Sequence, residues 1–358
     1  MANLKLRDRD TIVTREGLIF RVFGYSHPAN AYVCDVEYAP AEIFKSNNPK
    51  AFRTDGNRVF FKFYEDEGWK FVKENFPEHM IFLPTIRKKV VGVKRANIME
   101  TRKPDEGLVQ LVEKEPKDEL LNALKNVLKI VTDHAGLSER NFGVFGSLLH
   151  GFYHPKFSDI DLIVYGGKNL AKLREALLAL YCDGNSQFKN EFENDDSIKG
   201  KAWRFRNYSA IEFVWHQQRK LIYAVFNDKQ SGRTIKAEFE PVKDWKEIHK
   251  AYFLDGRIVQ KGWVKLFARI TEDCDAPFIP SVYGVEPLEI IEGEAGADEI
   301  ERVVSYMEEF RMQAFKDEKV YVEGNLEEVI TPKSSFHQIT LTYCPRYYEQ
   351  VLKSINQK

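Results

Sequence analysis

The sequence predicts an α+β protein in which a central mixed domain lies between two smaller β-rich modules. Residues 1–105 and 251–358 contain many short runs of β-branched and aromatic residues bounded by turn-forming residues, a pattern typical of strands. Residues 106–250 instead combine helix-spaced apolar patterns with strand-like runs. At 358 residues the chain is long enough for these three modules, so we predict domain boundaries near residues 105 and 250.

The first module is predicted to contain four strands and one segment of undecided type. The strand-like runs are 11–14, 18–25, 31–38 and 59–64. In segment 69–76, Phe71, Val72 and Phe76 stand between charged residues, a spacing that also fits a helix. We therefore predict a small α+β module.

A basic segment, residues 85–103, closes the first module. Beside the single acid Glu100 it carries seven cations: Arg87, Lys88, Lys89, Lys94, Arg95, Arg102 and Lys103. Clustered Lys and Arg are typical of phosphate contacts with nucleic acid. A solvent-exposed edge strand that uses Lys against aggregation has the same composition. Both interpretations remain open at this point.

The central domain begins with a predicted linker and a predicted helix. Residues 103–107 (KPDEG) have the composition of a linker. Pro116 suits a first helical position, and Gly136 is the expected stop. Between them the helix-spaced apolar residues are Leu120, Leu121, Leu124, Val127, Leu128 and Val131. A second helix is predicted to begin with Asn169 as its cap, and residues 183–200 are predicted to form a loop or a frayed helix.

Residues 142–166, FGVFGSLLHGFYHPKFSDIDLIVYG, carry the predicted chemistry. They are predicted to form a strand, a Gly-Ser turn and a second strand. On the second strand Asp159 and Asp161 share one face, while Ile160, Leu162 and Val164 point into a core. Two neighbouring carboxylates repel each other, which favours a cation between them, and hard oxygen ligands favour Mg²⁺ over Zn²⁺.

The Gly-Ser turn before the two acids predicts a phosphate site. Gly146 has no side chain to hold a phosphate away. Ser147 offers a hydroxyl and a backbone N–H at the expected start of a helix, where anions bind well. Phosphate on one side and metal on the other indicate a nucleoside triphosphate site.

These residues also resemble a known family signature. Gly146-Ser147, Gly151 and residues 158–162 (SDIDL) are similar to the signature of the DNA polymerase beta-type nucleotidyltransferase superfamily. The resemblance covers residues 118–242. It implies a polymerase beta-like core, two Mg²⁺ ions held by Asp159 and Asp161, and phosphate contacts from Gly146, Ser147 and Ser158. The three-part layout further resembles predicted nucleotidyltransferases of archaea.

The superfamily usually places a third acid on a strand beside the first two. Residues 221–226 and 234–242 are predicted to form a hairpin around residues 228–232. In its second strand, alternation places Glu238 and Glu240 on the face opposite three apolar residues, Ile235, Ala237 and Phe239. Glu238 is the predicted third ligand and Glu240 the alternative. Both depart from the commonest pattern, which has Asp at this position.

Further polar residues of the central domain have more than one interpretation. His150 and His154 have the spacing of metal ligands on a helix, but Gly151 and Pro155 disfavour a regular helix there. One of these histidines is therefore predicted to orient the loop or to contact substrate phosphate. Four later cations either contact the triphosphate or acceptor or are surface charges: Arg204, Arg206, Arg219 and Lys220.

The last module is predicted to be an OB-like barrel. Its strand-like runs are 259–270, 281–285, 319–324 and 337–342, and residues 297–315 are predicted to contain a helix. The helix prediction rests on Ile300, Val303, Val304 and Met307. OB folds bind single-stranded nucleic acid through aromatic and cationic residues. The available aromatic residues, which could equally be core residues, are Trp263, Phe267, Phe278 and Tyr283.

Composition limits the function classes. The formal net charge of −1 argues against a surface that is basic throughout for indiscriminate nucleic-acid binding. The four cysteines form no CxxC pair, so neither a zinc ribbon nor a disulfide framework is indicated: Cys34, Cys182, Cys274 and Cys344. Apolar runs too short for a bilayer and a polar N-terminus predict a cytoplasmic protein.

The resemblance implies transfer of a nucleoside monophosphate from a nucleoside triphosphate to a hydroxyl group, with release of pyrophosphate. An RNA acceptor is the first hypothesis, because of the flanking modules and the basic segment 85–103. The alternatives are nucleotidylation of a protein or small molecule, and a non-catalytic protein that binds nucleotide or RNA.

Overall fold

The computed structural model describes residues 4–200, 202–248, 256–293, 296–343 and 346–355. Over these residues the predicted α+β class is confirmed, with six α-helices and three β-sheets. The chain divides into two units, Met1–Phe188 with Ala224–Leu254, and Lys189–Tyr223 with Asp255–Lys358. The predicted boundary between residues 250 and 251 lies outside the described residues, as does Cys344. The three-module division stays a prediction.

The N-terminal part of the first unit is a β-sheet with one helix. Its elements are β1 (Thr11–Thr14), β2 (Ile19–Val22), β3 (Ala31–Pro40), β4 (Phe52–Thr54), β5 (Val59–Lys62), α1 (Glu67–Asn75), β6 (Met80–Leu83), β7 (Lys88–Lys94) and β8 (Ile98–Arg102). The strand order is β4-β5-β3-β2-β1-β8, while β7 pairs with β3 and β6. The four predicted strands are confirmed, and segment 69–76 lies largely in helix α1, where Val72 is buried against the sheet.

The basic segment 85–103 includes an edge strand. Among the described residues, β8 pairs with β1 and lies at the end of the strand order, whereas β7 pairs with β3 through residues 92–94 and with β6 through residues 88–91. Three of the seven cations have partners within the protein: Arg95 donates to the carbonyls of Ala29 and Leu4, Arg102 pairs with Glu100, and Lys103 pairs with Glu106. The remaining four cations are exposed.

The central elements form a five-stranded sheet with helices. They are α2 (Pro104–Val112), α3 (Glu119–Ala135), β9 (Phe142–Val144), α4 (Gly146–His150), β10 (Ile160–Tyr165), α5 (Gly167–Cys182), β11 (Phe188–Asn190), α6 (Ala210–Lys220), β12 (Tyr223–Asn227) and β13 (Thr234–Val242). The strand order is β11-β12-β13-β10-β9, with β10 parallel to β13 and antiparallel to β9. The last two predicted strands of this domain, β12 and β13, are confirmed as neighbours.

Several predicted boundaries in this region are wrong. The predicted linker 103–107 is the start of helix α2, because Pro104 at the first turn and the acids after it favour helix initiation. Helix α3 begins at Glu119 rather than Pro116, with the Asp118 carboxylate accepting the N–H of Leu121, and it ends as predicted at the left-handed Gly136. Helix α5 begins before Asn169, whose side chain donates to the carbonyl of Tyr165. Residues 183–200 include the short strand β11.

Both faces of strand β10 are covered. Ile160, Leu162 and Val164 are fully buried, as predicted. Ile163 and Tyr165, on the face of Asp161, are buried as well. The alternation pattern does not reveal this second contact, because the covering residues come from far away in sequence: Tyr25 packs there, and its hydroxyl accepts the N–H of Lys243 at 2.9 Å. Burying one such aliphatic side chain contributes about 1.5–3 kcal/mol.

Four consecutive charged residues, Arg7 to Asp10, are buried where the N-terminal module meets the central sheet. The Arg7 guanidinium lies 3.7 Å from the centre of the Tyr165 ring and pairs with Asp105 at 3.2 Å. The Asp8 carboxylate accepts the N–H of Gly24 at 2.7 Å. Buried charges persist only when they are paired, so this segment fixes the N-terminal module to the central domain.

In the second unit, residues 256–355 form a strand ring. The strands are β14 (Arg257–Asp275), β15 (Ser281–Glu292), β16 (Ile300–Ser305), β17 (Lys319–Ile330), β18 (Ser335–Leu341) and β19 (Val351–Ser354). Strand β14 pairs with both β15 and β17, so the path β14-β15-β16-β18-β17 closes on itself. The pair β16 and β18 is parallel and the other pairs are antiparallel.

The predicted helix within residues 297–315 is wrong. Residues 300–305 form strand β16, flanked by short 3₁₀ turns at Ala297–Glu299 and Glu308–Phe310. The apolar spacing that suggested a helix also fits a strand rich in β-branched residues that is hydrogen-bonded on both sides. Ile300 and Val303 are buried in the core of the ring, and Val304 is buried as well.

No helix in the described part of the chain combines the length and the apolar character needed to cross a membrane.

Candidate active site

The predicted Gly-Ser turn and the second predicted acid lie directly against each other. Strand β9 runs antiparallel to β10, and the N–H of Phe145 donates to the carbonyl of Asp161 at 2.9 Å. The next residue, Gly146, has φ of +60°, and a Cβ built on it would lie 2.5 Å from Oδ2 of Asp161. Only glycine fits this position, because it combines a left-handed backbone with close approach to a carboxylate.

The third predicted acid lies on the other side of Asp161. In the parallel pair of β10 and β13, Asp161 and Glu238 are register partners. Neighbouring strands are about 4.8 Å apart and register partners share a face, so the two carboxylates lie on the same side of the sheet. Glu240, two residues further along β13, lies on this face too. Asp159 is exposed at the residue before β10.

The environment of Asp161 is unfavourable to its negative charge. Burial raises the pKa of its carboxyl group to about 7, and the charges of Glu240 and Asp159 add to the effect, while Lys62 opposes it. A carboxylate close to other carboxylates is stabilised when a cation joins the group. Carboxylate oxygens are the ligands that Mg²⁺ prefers, so the acids on this face fit a magnesium site.

Glu240 has a cationic partner in the N-terminal module. Arg9 forms an ion pair through Nε with Oε2 of Glu240, and both side chains are at least nine-tenths buried. Arg9 has an unusual φ of +71°, and its guanidinium also lies 5.3 Å from the centre of the Phe145 ring. The positive charge of Arg9 therefore compensates the negative charge of Glu240 close to Phe145, the residue before the Gly-Ser turn.

The N-terminal module adds two more charged groups to this site. Burial raises the pKa of Glu37 to about 7, with the charges of Asp35 and Glu240 adding to the effect, and Lys62 lowers it. Lys62 follows Phe60 by two residues on β5, so the two side chains share a face of the strand. The Phe60 ring packs 4.8 Å from the ring of Phe152, which lies just after α4. Among the described residues, none forms an ion pair with Lys62.

The two predicted phosphate-binding serines differ in their surroundings. No described residue hydrogen-bonds the hydroxyl of Ser147, which is half-buried at the start of α4. The hydroxyl of Ser158 instead accepts the N–H of His154 at 2.8 Å and closes the loop before Asp159. Arg233 clamps the same loop by donating to the carbonyls of Pro155 and Ser158. This arginine therefore positions the first acid.

His150 and His154, the two histidines of residues 142–166, lie in different environments. His150 is buried, and burial together with the charges of Arg102 and Lys62 lowers its pKa to about 3, so its ring is neutral at pH 7. Its Nδ1 lies 3.2 Å from a nitrogen of Arg102, and its ring packs against Tyr38 at 5.4 Å. His154 is exposed, and its Nδ1 accepts the N–H of Lys156. His150 thus joins the turn to the N-terminal module.

The four later cations of the central sequence have partners within the second unit. Arg204 and Arg206 contact Tyr348 and Glu349, while Arg219 pairs with Glu318 and the buried Lys220 donates to the carbonyl of Glu309. All four cations therefore take part in contacts within the second unit.

Sequence reasoning placed Gly146, Asp161 and Glu238 side by side on adjacent elements, as the structure has them. It missed four residues that belong to the same region: Arg9, Glu37, Lys62 and Arg233. The charged run RDRD at residues 7–10, directly before strand β1, was the available signal. Glu37 and Lys62 carry no such signal, because each is one polar residue within a strand.

Comparison with known proteins agrees with this geometry. Residues 124–244 match the family model described as a nucleotidyltransferase domain, so the predicted superfamily is confirmed and the chain contains such a domain. Over 333 residues the chain is 28% identical to an uncharacterized protein of Methanocaldococcus jannaschii, MJ1086, an alignment that covers 91% of this chain and 92% of that relative. No solved structure matches the chain.

Proposed function

We propose that this chain, whose residues 124–244 form a nucleotidyltransferase domain, transfers a nucleoside monophosphate from a nucleoside triphosphate to a hydroxyl group of RNA. The observation that carries the proposal is the position of Asp161, between the close backbone of Gly146 on one side and its register partner Glu238 on the other. A phosphate-accessible turn beside paired acids on rigid strands is the arrangement that two-metal transfer requires.

In the proposed reaction, the acceptor oxygen forms a bond to the α-phosphorus of the triphosphate. The bond from that phosphorus to the bridging oxygen of pyrophosphate breaks, and the acceptor proton passes to solvent. Asp159, Asp161 and Glu238 would hold two Mg²⁺ ions. When bound, these ions would lower the pKa of the acceptor hydroxyl and neutralise the triphosphate and the leaving pyrophosphate.

Other residues of the chain bind and orient the substrate in this proposal. The backbone of Gly146 and the hydroxyl of Ser147 contact the phosphates, and the loop closed by Ser158 and Arg233 holds Asp159 in place. Lys62 adds a positive charge on the side of the N-terminal module, where its charge already acts on Asp161 and Glu37. A cation there attracts the triphosphate and limits repulsion by the acids.

An RNA acceptor is supported by the outer face of the strand ring. Trp263 and Phe267 are partly exposed on strand β14, whereas Phe278 and Tyr283 are buried and Tyr321 of β17 packs against the core of the ring. The Arg346 guanidinium lies 3.6 Å from the centre of the Trp263 ring. The closed order β14-β15-β16-β18-β17 supports an OB-like assignment, and such barrels bind single strands through aromatic and cationic side chains.

The experiment that tests the proposed function follows each labelled nucleoside triphosphate, with Mg²⁺, into cellular RNA and into protein. The matched controls are the Asp161→Asn variant and the double variant Asp159→Ala/Asp161→Ala, checked for folding by circular dichroism. We expect label in RNA from the wild type and loss of that label in both variants. Affinity for RNA should also fall steeply with rising salt, because counterions are released from each contacted phosphate.

Three outcomes contradict the proposal in different ways. Label in protein rather than RNA would replace the acceptor and keep the chemistry. Full turnover by Asp161→Asn would overturn the assigned site. Absence of transfer from every triphosphate, together with tight Mg²⁺-dependent binding of one of them in calorimetry, would identify a non-catalytic nucleotide-binding protein.

A further inference from the structure

A second cluster of potential metal ligands lies in the N-terminal module. It consists of Glu16, in the turn between β1 and β2, and of Glu78 and His79, in the 3₁₀ turn Pro77–His79 that follows α1. One carboxylate oxygen from each glutamate and one ring nitrogen of the histidine all lie within 4.8 Å of one another. This cluster shares no residue with the site around Asp161.

The ring of His79 is buried without a hydrogen-bond partner. Its exposure is 0%, and no described residue hydrogen-bonds either of its ring nitrogens. Nε2 points to the cluster and lies 3.5 Å from Oε2 of Glu16, which is longer than an N–H···O hydrogen bond. A buried polar group with no partner is destabilising, so Nε2 lacks a ligand that would satisfy it.

The same ring is held in a fixed orientation. It packs 5.2 Å from the centre of the Phe20 ring and 6.5 Å from that of Phe76. The two glutamates, in contrast, are exposed, with 33% of the Glu16 side chain accessible. The nitrogen donor is thus fixed on the protein side of the cluster, and the two movable carboxylates lie on its solvent side. An ion can therefore enter the cluster from solvent.

We propose that Glu16, Glu78 and His79 bind one divalent transition-metal ion. Imidazole together with carboxylates suits Zn²⁺, Co²⁺ or Mn²⁺, whereas Mg²⁺ prefers oxygen ligands alone. Three protein ligands leave at least one coordination position for water. Because Nδ1 of His79 has no partner to orient and polarise the ring, the affinity is lower than in sites that have this second contact.

The ion would join two segments that are distant in sequence. Glu16 belongs to the first hairpin, whereas Glu78 and His79 follow the helix. A ligand that binds only the folded state raises stability by mass action, so the metal should raise the unfolding temperature of the protein. This effect requires no turnover and is independent of the proposed transfer reaction.

The test uses the Asp159→Ala/Asp161→Ala variant of the whole chain, which removes two of the three predicted magnesium ligands. After treatment with a chelator, this protein is titrated with Co²⁺, and binding is followed by calorimetry and by the visible absorption of bound Co²⁺. We expect one Co²⁺ per chain and an increase in unfolding temperature. Adding Glu16→Gln or Glu78→Gln should weaken binding at least 10-fold, whereas Glu74→Gln, at an exposed position of α1, should leave it unchanged.

Both glutamates are exposed, so their amide variants are expected to fold, and circular dichroism checks this. His79→Gln should abolish the Co²⁺ absorption, and if that variant does not fold, the two glutamate variants still decide the question. The proposal is overturned if no stoichiometric Co²⁺ binding occurs, or if Glu16→Gln and Glu78→Gln bind as well as the unmodified background.

Discussion

Gly146 lies so close to Asp161 that a Cβ at position 146 would be 2.5 Å from Oδ2 of the aspartate. The backbone of Gly146 also has a positive φ of +60°. Two independent constraints therefore act at this position, and they can be separated by experiment. Gly151, at the end of the same short helix, has a similar φ of +71° but open space around its Cβ position.

We expect Gly146→Ala to lower the turnover of nucleotide transfer about 100-fold, because displacement of a reacting group by a fraction of an ångström to one ångström has effects of that size. Both Gly146→Ala and Gly151→Ala should lose about 1–2 kcal/mol of stability, because alanine disfavours the left-handed backbone. Gly151→Ala should nevertheless keep most of its activity. Steady-state kinetics and urea unfolding of the two variants make the comparison. Equal losses of activity would mean that backbone strain, not the contact with Asp161, is responsible.

The two candidates for the third acid should respond differently to neutralisation. Glu238→Gln should reduce the turnover number at least 100-fold with little change in stability. Glu240→Gln should instead destabilise the protein by up to about 3–5 kcal/mol, because it breaks the buried ion pair between Glu240 and Arg9. Turnover and the free energy of unfolding are measured for both. A Glu238→Gln enzyme with normal turnover beside an inactive, stable Glu240→Gln enzyme would reverse the assignment.

Lys62 should contribute to binding of the triphosphate. Lys62→Ala is expected to raise the dissociation constant for the nucleoside triphosphate about 10-fold or more, since hydrogen bonds to charged groups contribute about 1.5–3 kcal/mol. Lys62→Arg should recover most of the affinity. Calorimetry with Mg²⁺ and nucleotide measures both, with Lys45→Ala, an exposed lysine of the same module, as the control. Unchanged affinity in Lys62→Ala would remove Lys62 from the site.

Glu37 should make the stability of the protein depend on pH. Burial raises its pKa in the folded state to about 7, above the ordinary value of 4.5, so the folded state binds this proton more tightly than the unfolded state. Its contribution is therefore fully present below about pH 4.5 and is lost as the pH rises through 7. Relative to Glu37→Gln, the wild type should lose up to about 3 kcal/mol of stability between pH 4.5 and 8.

Urea unfolding of the wild type and Glu37→Gln at several pH values tests this expectation. The difference between the two proteins removes the contributions of titrating groups that do not interact with Glu37. A difference that stays constant with pH would show that Glu37 has an ordinary pKa in the folded protein.

Local patterns predicted the elements that carry the candidate site. Gly146-Ser147 and the alternation at residues 159–164 and 235–240 place acids and apolar residues on opposite faces, and these are properties of a few neighbouring residues. The long-range partners could not be found in this way. Arg9 and Glu240, or Phe60 and Phe152, are brought together by the packing of separate elements, and no short-range periodicity encodes that packing.

The errors in element type have a related cause. At residues 300–305 the apolar spacing fits both a helix and a buried strand, and the hydrogen bonds to β15 and β18 decide between them. At residues 103–107 the same Pro, Asp, Glu and Gly that suggest a linker also start a helix. Gly107 packs closely there, since a Cβ would lie 2.6 Å from Cδ1 of Leu149 and would require that side chain to move.

The division of the chain into interleaved units determines what can happen during synthesis. The first unit needs residues 224–254 to complete its central sheet, and the second takes residues 189–223 from the middle of the chain. Arg9 leaves the ribosome well before its partner Glu240, which lies far downstream in the sequence. Until then the guanidinium of Arg9 lacks this ion pair. A nascent chain stopped near residue 188 therefore exposes residues of the central sheet that are buried in the folded protein. It should depend on chaperones until translation has passed residue 254.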